Sequence, residues 1–210
     1  MFDRPSVAVF CVLLLPLALI HAGETYTVNP QLPQPIKVPA CLLGKTFFVA
    51  ELGGGSASSA VRMARSWTSP NPAWLPPGVN FNRELKMLEV NWQTDPADIV
   101  RDALVQSFRS ANNLASDDTA ADYTLLVTLF RFGLADATWR EYYSKLEMLV
   151  QVKNMRTGAI VDVPAIGTCV AKTEDRDHKS KQKIESGLQT ALSRGVTNFL
   201  YSARLKAAVE

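Results

Sequence analysis

From Tyr142 onward, two kinds of side chain alternate along the chain. Tyr142, Ser144, Leu146, Met148, Val150 and Val152 fall on one side, and Tyr143, Lys145, Glu147 and Gln151 on the other. A period of two predicts a long amphipathic strand with one wet face. Asn154 to Gly158 predicts a turn in which Gly158 supplies the left-handed residue, and Ala159 to Ala171 predicts the returning strand. Pro164 marks an edge position or a bulge, because it has no N–H to give to a ladder. Upstream, Tyr123 to Phe132 (YTLLVTLFRF) is too apolar for alternation on a single face and predicts a central strand. Leu85 to Trp92 alternates with Leu88, Val90 and Trp92 on one side, and Lys45 to Leu52 predicts a first strand.

Two stretches change the period. Asp95-Pro96-Ala97-Asp98 starts a helix: Asp95 can cap the free N–H groups, Pro96 suits the first helical position, and Asp98 favours the positive end of the dipole. Ile99, Val100, Ala103, Leu104, Ser107 and Phe108 form its apolar face. Near the other end of the sequence, Ile184, Leu188, Ala191, Leu192, Val196, Phe199, Leu200 and Ala203 recur at spacings of three and four. Burying eight such side chains contributes on the order of 10 kcal/mol of gross stabilisation. The order β-β-α-β-β-β-α predicts an α+β fold, a largely antiparallel sheet of four to five strands with two amphipathic helices packed on one face.

The first 22 residues belong to a different physical class. The uncharged run Val7 to Ile20 is too short to cross a bilayer core of about 30 Å, which takes roughly 20 helical residues. Preceded by Arg4 and followed by Ile20-His21-Ala22, it reads as a cleavable signal peptide, with an uncleaved interfacial anchor as the alternative. Cys11 follows Phe10 early in this run, where a lipoprotein signal would need a small residue and a completed apolar core. Residues 23–44 include Pro30, Pro33, Pro35 and Pro39 and predict an extended arm. The remainder, 45–210, is expected to form one domain.

Composition narrows the functions. The 210 residues are 47% hydrophobic and 20% charged, with 22 basic and 20 acidic side chains giving a net charge of +2. So even a balance does not make a nucleic-acid footprint. Two histidines and three cysteines leave few ligands for a transition metal, and no cofactor motif appears. After signal cleavage Cys41 and Cys169 remain in an oxidising compartment, as a disulfide worth an idealised ~5 kcal/mol or as two buried thiols.

Gly44-Lys45-Thr46 looks like the end of a phosphate-binding loop, but Pro39 stands where the first glycine is needed and a strand follows instead of a helix. His178, near Cys169, offers a conceivable nucleophile–base pair, yet a cysteine within a strand is more often structural. Glu174, Asp175 and Asp177 are interleaved with cations and make a weak calcium site. Lys179, Lys181 and Lys183 crowd the start of the last helix, as a solvated face or as a contact for an acidic partner or anionic lipid head groups. Trp67, Trp74, Leu75 and Val79 form an apolar, proline-rich loop that either covers the sheet or offers a binding lip.

The order of these features resembles the ABC-type transport auxiliary proteins of bacterial envelopes, the Pqi-type and YajG-like small lipoproteins. The stretch that carries the resemblance is 45–203. It comprises the strand ending Glu89-Val90-Asn91-Trp92, the helix from Asp95-Pro96, Ala121-Asp122-Tyr123 opening a strand, Lys145 to Val152 with Thr157-Gly158, and the closing helix from Ile184 to Leu205. The acylated cysteine of such lipoproteins is absent at the expected mature N-terminus. The resemblance implies a non-catalytic periplasmic or outer-membrane-side partner of a lipid-transport complex, with the arm at 23–40 available for docking. Docking is expected through the exposed sheet face or the 60–80 loop, with Trp67, Trp74, Leu75, Lys179 and Lys181 as the expected contact residues. The alternatives are a homo-oligomeric subunit of an envelope ring joined through an edge strand, a small hydrolase using Cys169 or a serine, and a periplasmic small-molecule carrier.

Overall fold

The computed structural model describes residues 25–50, 89–137, 141–172 and 181–210. The expected signal peptide with Cys11, the expected binding lip with Trp67, Trp74, Leu75 and Val79, and the charged stretch with Glu174, Asp175, Asp177, His178 and Lys179 lie outside them.

Among the described residues, six strands and three α-helices follow in chain order: β1 Thr25–Val28, β2 Phe47–Val49, β3 Glu89–Trp92, α1 Pro96–Ser110, β4 Tyr123–Ala137, β5 Glu141–Asn154, β6 Ile160–Lys172, α2 Lys181–Leu200 and α3 Ala203–Val209. The main sheet has the order β2-β4-β5-β6, and β1 with β3 forms a separate two-stranded ribbon. The architecture is α+β, as the periodicities predict. The sheet is mixed, however, because β2 runs parallel to β4, as β1 does to β3. Side-chain periodicity shows that a strand exists and leaves its direction in the sheet open.

Each boundary has a local cause. Asp95 caps α1, its carboxylate accepting the Ala97 N–H at 2.8 Å, with Pro96 opening the first turn. The β5–β6 turn closes through Gly158, whose φ of 72° lies in the left-handed region, and its N–H donates to Asn154 O at 2.8 Å. The closing helix is two helices. Ser202 turns extended between them, and its hydroxyl accepts the Arg204 N–H at 3.2 Å as the cap of α3.

The core lies between the sheet and the helices. Leu125, Val127, Leu129 and Phe132 of β4, Leu146, Met148, Val150 and Val152 of β5, and Val163 and Ala165 of β6 meet Ile184, Leu188, Leu192, Val196 and Phe199 of α2. Phe47 stacks between Phe108 and Tyr123, with ring centres 4.6 and 5.4 Å away. At Gly167 the helix touches the sheet backbone: a Cβ there would run into Ala191 O and the Gly195 backbone. Glycine is required by this close approach.

The proline-rich segment is built into the domain. Val28, Leu32, Val38 and Leu42 are buried. Its backbone is fastened by side chains: Asn29 N–H to Glu185 Oε1 at 3.1 Å, Ile36 N–H to Ser107 Oγ at 3.1 Å, and Lys37 O accepting from Tyr201 Oη at 3.2 Å. A chain with few N–H groups has few ladder bonds to lose, and here it lies across helices instead.

Cys41 and Cys169 are free thiols, which corrects the expected disulfide. Cys41 lies in the 3-10 turn Ala40–Leu42, close to the end of the sheet where Thr46 bonds Asp122 and β6 begins. Cys169 pairs with Ser144 far along β6. Nine residues at ~3.3 Å each separate it from Ile160, roughly 30 Å, against the ~7 Å limit between bridged Cα atoms.

Candidate docking surface

The three long strands turn one face to the helices and the other to solvent. On the outer face the rows read Leu126–Gln151–Asp162, Thr128–Leu149–Pro164, Arg131–Glu147–Ile166, Gly133–Lys145–Thr168 and Tyr143–Val170 across β4, β5 and β6. Leu126, Phe130, Tyr143, Ile166 and Val170 are each between 41% and 49% exposed. Leu149 is half-buried among them and Pro164 is exposed.

Phe130 continues the outward set of Leu126 and Thr128, and the β4–β5 register then shifts between Leu129 and Arg131. One extra residue in β4 keeps Arg131 on the outer face and returns Phe132 to the core, where unbroken alternation would have turned it outward. Phe132 lies against Trp92 with ring centres 5.0 Å apart.

Two polar pairs cross this face. Lys145 Nζ pairs with Glu147 Oε2 at 2.8 Å, and Gln151 Nε2 donates to Asp162 Oδ1 at 3.0 Å. The surface is thus an apolar patch crossed by charges of both signs, Arg131 and Lys145 against Glu147 and Asp162, a composition that suits a protein partner better than a strongly charged one.

At the end of the sheet where β2 and β4 begin, the side chains serve structure. Lys45 Nζ and Tyr123 Oη, the latter at 3.3 Å, donate to Val209 O at the end of α3. Lys45 therefore neutralises a helix C-terminus. Thr46 and Asp122 clamp reciprocally: the Thr46 N–H and hydroxyl donate to Asp122 Oδ2 at 2.8 and 3.0 Å, and Asp122 N–H donates to Thr46 Oγ1 at 3.0 Å. The two Thr46 bonds hold the Asp122 carboxyl below the usual carboxylate range. Bonds from the Thr119 and Ser116 hydroxyls do the same for Asp117.

No group of three or more metal-ligating side chains occurs among the described residues. No helix among them is long and apolar enough to cross a membrane. A cavity of about 480 Å³ opens to solvent between β6 and α3, lined by Ile160, Asp162, Arg204 and Ala208.

Of the expected contact residues, Trp67, Trp74, Leu75 and Lys179 lie outside the described residues. Lys181 is exposed at the first position of α2, on the helix layer. Alternation marks Tyr143, Lys145, Glu147 and Gln151 of the outer face in the sequence, and it leaves the apolar residues of β4 and β6 on that face unmarked. The signal is in β6, where the outward Pro164, Ile166 and Val170 are as apolar as the inward Val163 and Ala165.

No protein-family model matches the sequence, and neither does any curated protein. Solved structures do. Protein XCC0632 from Xanthomonas campestris, of family model DUF330, matches at 14% identity over 88% of this chain and 97% of its own, with a TM-score of 0.53. A lipoprotein candidate from Caulobacter crescentus matches at 11% identity over 54% of this chain and 82% of its own, with a TM-score of 0.41. A PelC dodecamer from Paraburkholderia phytofirmans matches at 11% identity over 77% and 91%, with a TM-score of 0.33. The likeness to the Xanthomonas protein is one of fold.

Proposed function

We propose that this chain is an exported, non-catalytic binding module of a bacterial cell envelope that assists a membrane-protein complex, with lipid transport as the process served. The observation that carries the reading is the outer sheet face. A sheet backed by helices on one side leaves Leu126, Phe130, Tyr143, Ile166 and Val170 in water on the other. Completing the burial of five such half-exposed side chains would contribute on the order of 5 kcal/mol before the costs of association. The apolar run Val7 to Ile20 supports export, and the order of elements resembling transport auxiliaries supports the kind of partner.

Photocrosslinking in the native cell from Phe130 or Ile166, followed by co-purification in detergent, tests this reading. The expected product is an inner-membrane transporter or its lipid-binding subunit. Crosslinks only between copies, in a large ring, would move the assignment to a structural subunit of an envelope assembly. A clean monomer with no crosslinked partner would overturn both. Loss of function on replacing Cys169 and His178 by alanine, in a chain that still folds, would replace the binding role with a hydrolase.

A further inference from the structure

The outer edge of the main sheet is β6, and its backbone polarity can be assigned residue by residue. Asn154 N–H donates to Ala159 O at 2.8 Å. The β5–β6 register then runs unbroken from Lys153–Ile160 to Glu141–Lys172. Even-numbered residues of β5 therefore bond to odd-numbered residues of β6. The even-numbered residues of β6 turn their N–H and C=O groups away from the sheet, along its free edge.

Three successive positions on that edge are closed. Pro164 has no N–H to offer. Ile166 O accepts from Asn198 Nδ2 at 2.7 Å, and Thr168 O accepts from Arg194 Nη1 at 2.8 Å. Arg194 and Asn198 stand one turn apart on α2, exposed, with their heads reaching over the edge strand. The Gly167–Gly195 contact brings the helix close enough for both to do so. Closing an edge with proline, charge and a covering helix is how proteins keep sheets from pairing edge to edge.

We propose that Pro164, Arg194 and Asn198 seal β6 against strand addition, and that the sealed edge is a latent pairing surface for β6 of a second copy of this chain. An antiparallel two-fold pairing centred on Ile166 would set Ile166 against itself and Pro164 against Thr168. Each of those contacts meets a missing donor or an occupied acceptor. The inference goes beyond the docking role of the outer face and does not rest on it. It directs any natural self-association to another surface.

The test compares the purified protein with a Pro164→Val/Arg194→Ala/Asn198→Ala variant, by light scattering and amide hydrogen exchange over a range of concentrations. The expected result is a concentration-dependent dimer in the variant, with exchange slowed at Ile166 and Thr168, and neither change in the wild type. A folded variant that keeps the wild-type mass and exchange at every concentration overturns the proposal. So does a wild type whose Ile166 and Thr168 amides already gain protection with concentration. If the triple variant does not fold, Pro164→Val/Asn198→Ala, which leaves the Arg194 bond to Thr168 O in place, is read by the same criteria at Ile166.

Discussion

Phe130 and Phe132 lie two residues apart on the same strand and face different surroundings. Phe132 is 1% exposed and rests on Trp92, whereas Phe130 is 49% exposed on the outer face. Their separation is the work of one inserted residue in β4. The comparison extends to whole faces: β5 sends Leu146, Met148, Val150 and Val152 into the core and Tyr143, Lys145, Glu147 and Gln151 outward. One face is committed to stability. The other is available for recognition, because its residues can change without opening a cavity.

Truncation should show this difference most strongly. Phe132→Ala is expected to cost about 4 kcal/mol by leaving a cavity, and Phe130→Ala less than about 1 kcal/mol. Urea unfolding of the two variants measures both, and equal losses would mean the outer face is covered. Next comes the helix–sheet seam. Gly167→Ala is expected to cost about 3 kcal/mol, since the new methyl meets backbone that no rotamer change can move. Gly195→Ala should cost less, because it meets the movable Leu146 side chain. A thermal melt of each variant ranks them.

Smaller effects test the outer face and the sheet end. Lys145→Ala breaks the pair with Glu147 and should change stability by no more than about 1 kcal/mol, with the difference fading in high salt. Asp122 gives the smallest effect and a pH signature. Its carboxyl is held low in the folded state, so its contribution is complete above the unfolded carboxylate range and disappears as pH falls through the lowered folded value. Stability measured from neutral pH into acid should therefore bring the wild type and Asp122→Asn together at the acid end.

Much of this fold is legible as periodicity. The alternation from Tyr142 to Val152, the Gly158 turn and the apolar stripe of the closing helix each correspond to an observed element, with ends shifted by a few residues. What the pattern does not show is anything set by a partner distant in sequence. YTLLVTLFRF carries no local mark of the bulge at Phe130, since both faces of β4 are apolar. β2 pairs in parallel with a strand far along the chain, and the Thr46 just before it clamps Asp122, 76 residues away. The Ser202 break was legible in principle, because a serine followed by a short second apolar run is a cap signal. The wet face of the sheet is legible from the alternation in β5, but its apolar character is not, because Leu126, Phe130, Ile166 and Val170 are made conspicuous only by the face they occupy.

The parallel pairings also imply an order of events when the chain folds. The stretch from Tyr123 to Leu200 is a meander followed by a helix that covers it, so its contacts join neighbours in sequence and close small loops. β1 must find β3, and β2 must find β4, across long intervening segments before either gains its bonds. Local contacts form early and distant ones late. Residues 123–200 are then the expected nucleus, and β1 and β2 are its last additions. Substitutions in β5 would slow folding, whereas substitutions in β2 would mainly hasten unfolding. A chain that crosses a membrane before it folds would thus finish by drawing its N-terminal strands onto a sheet already formed.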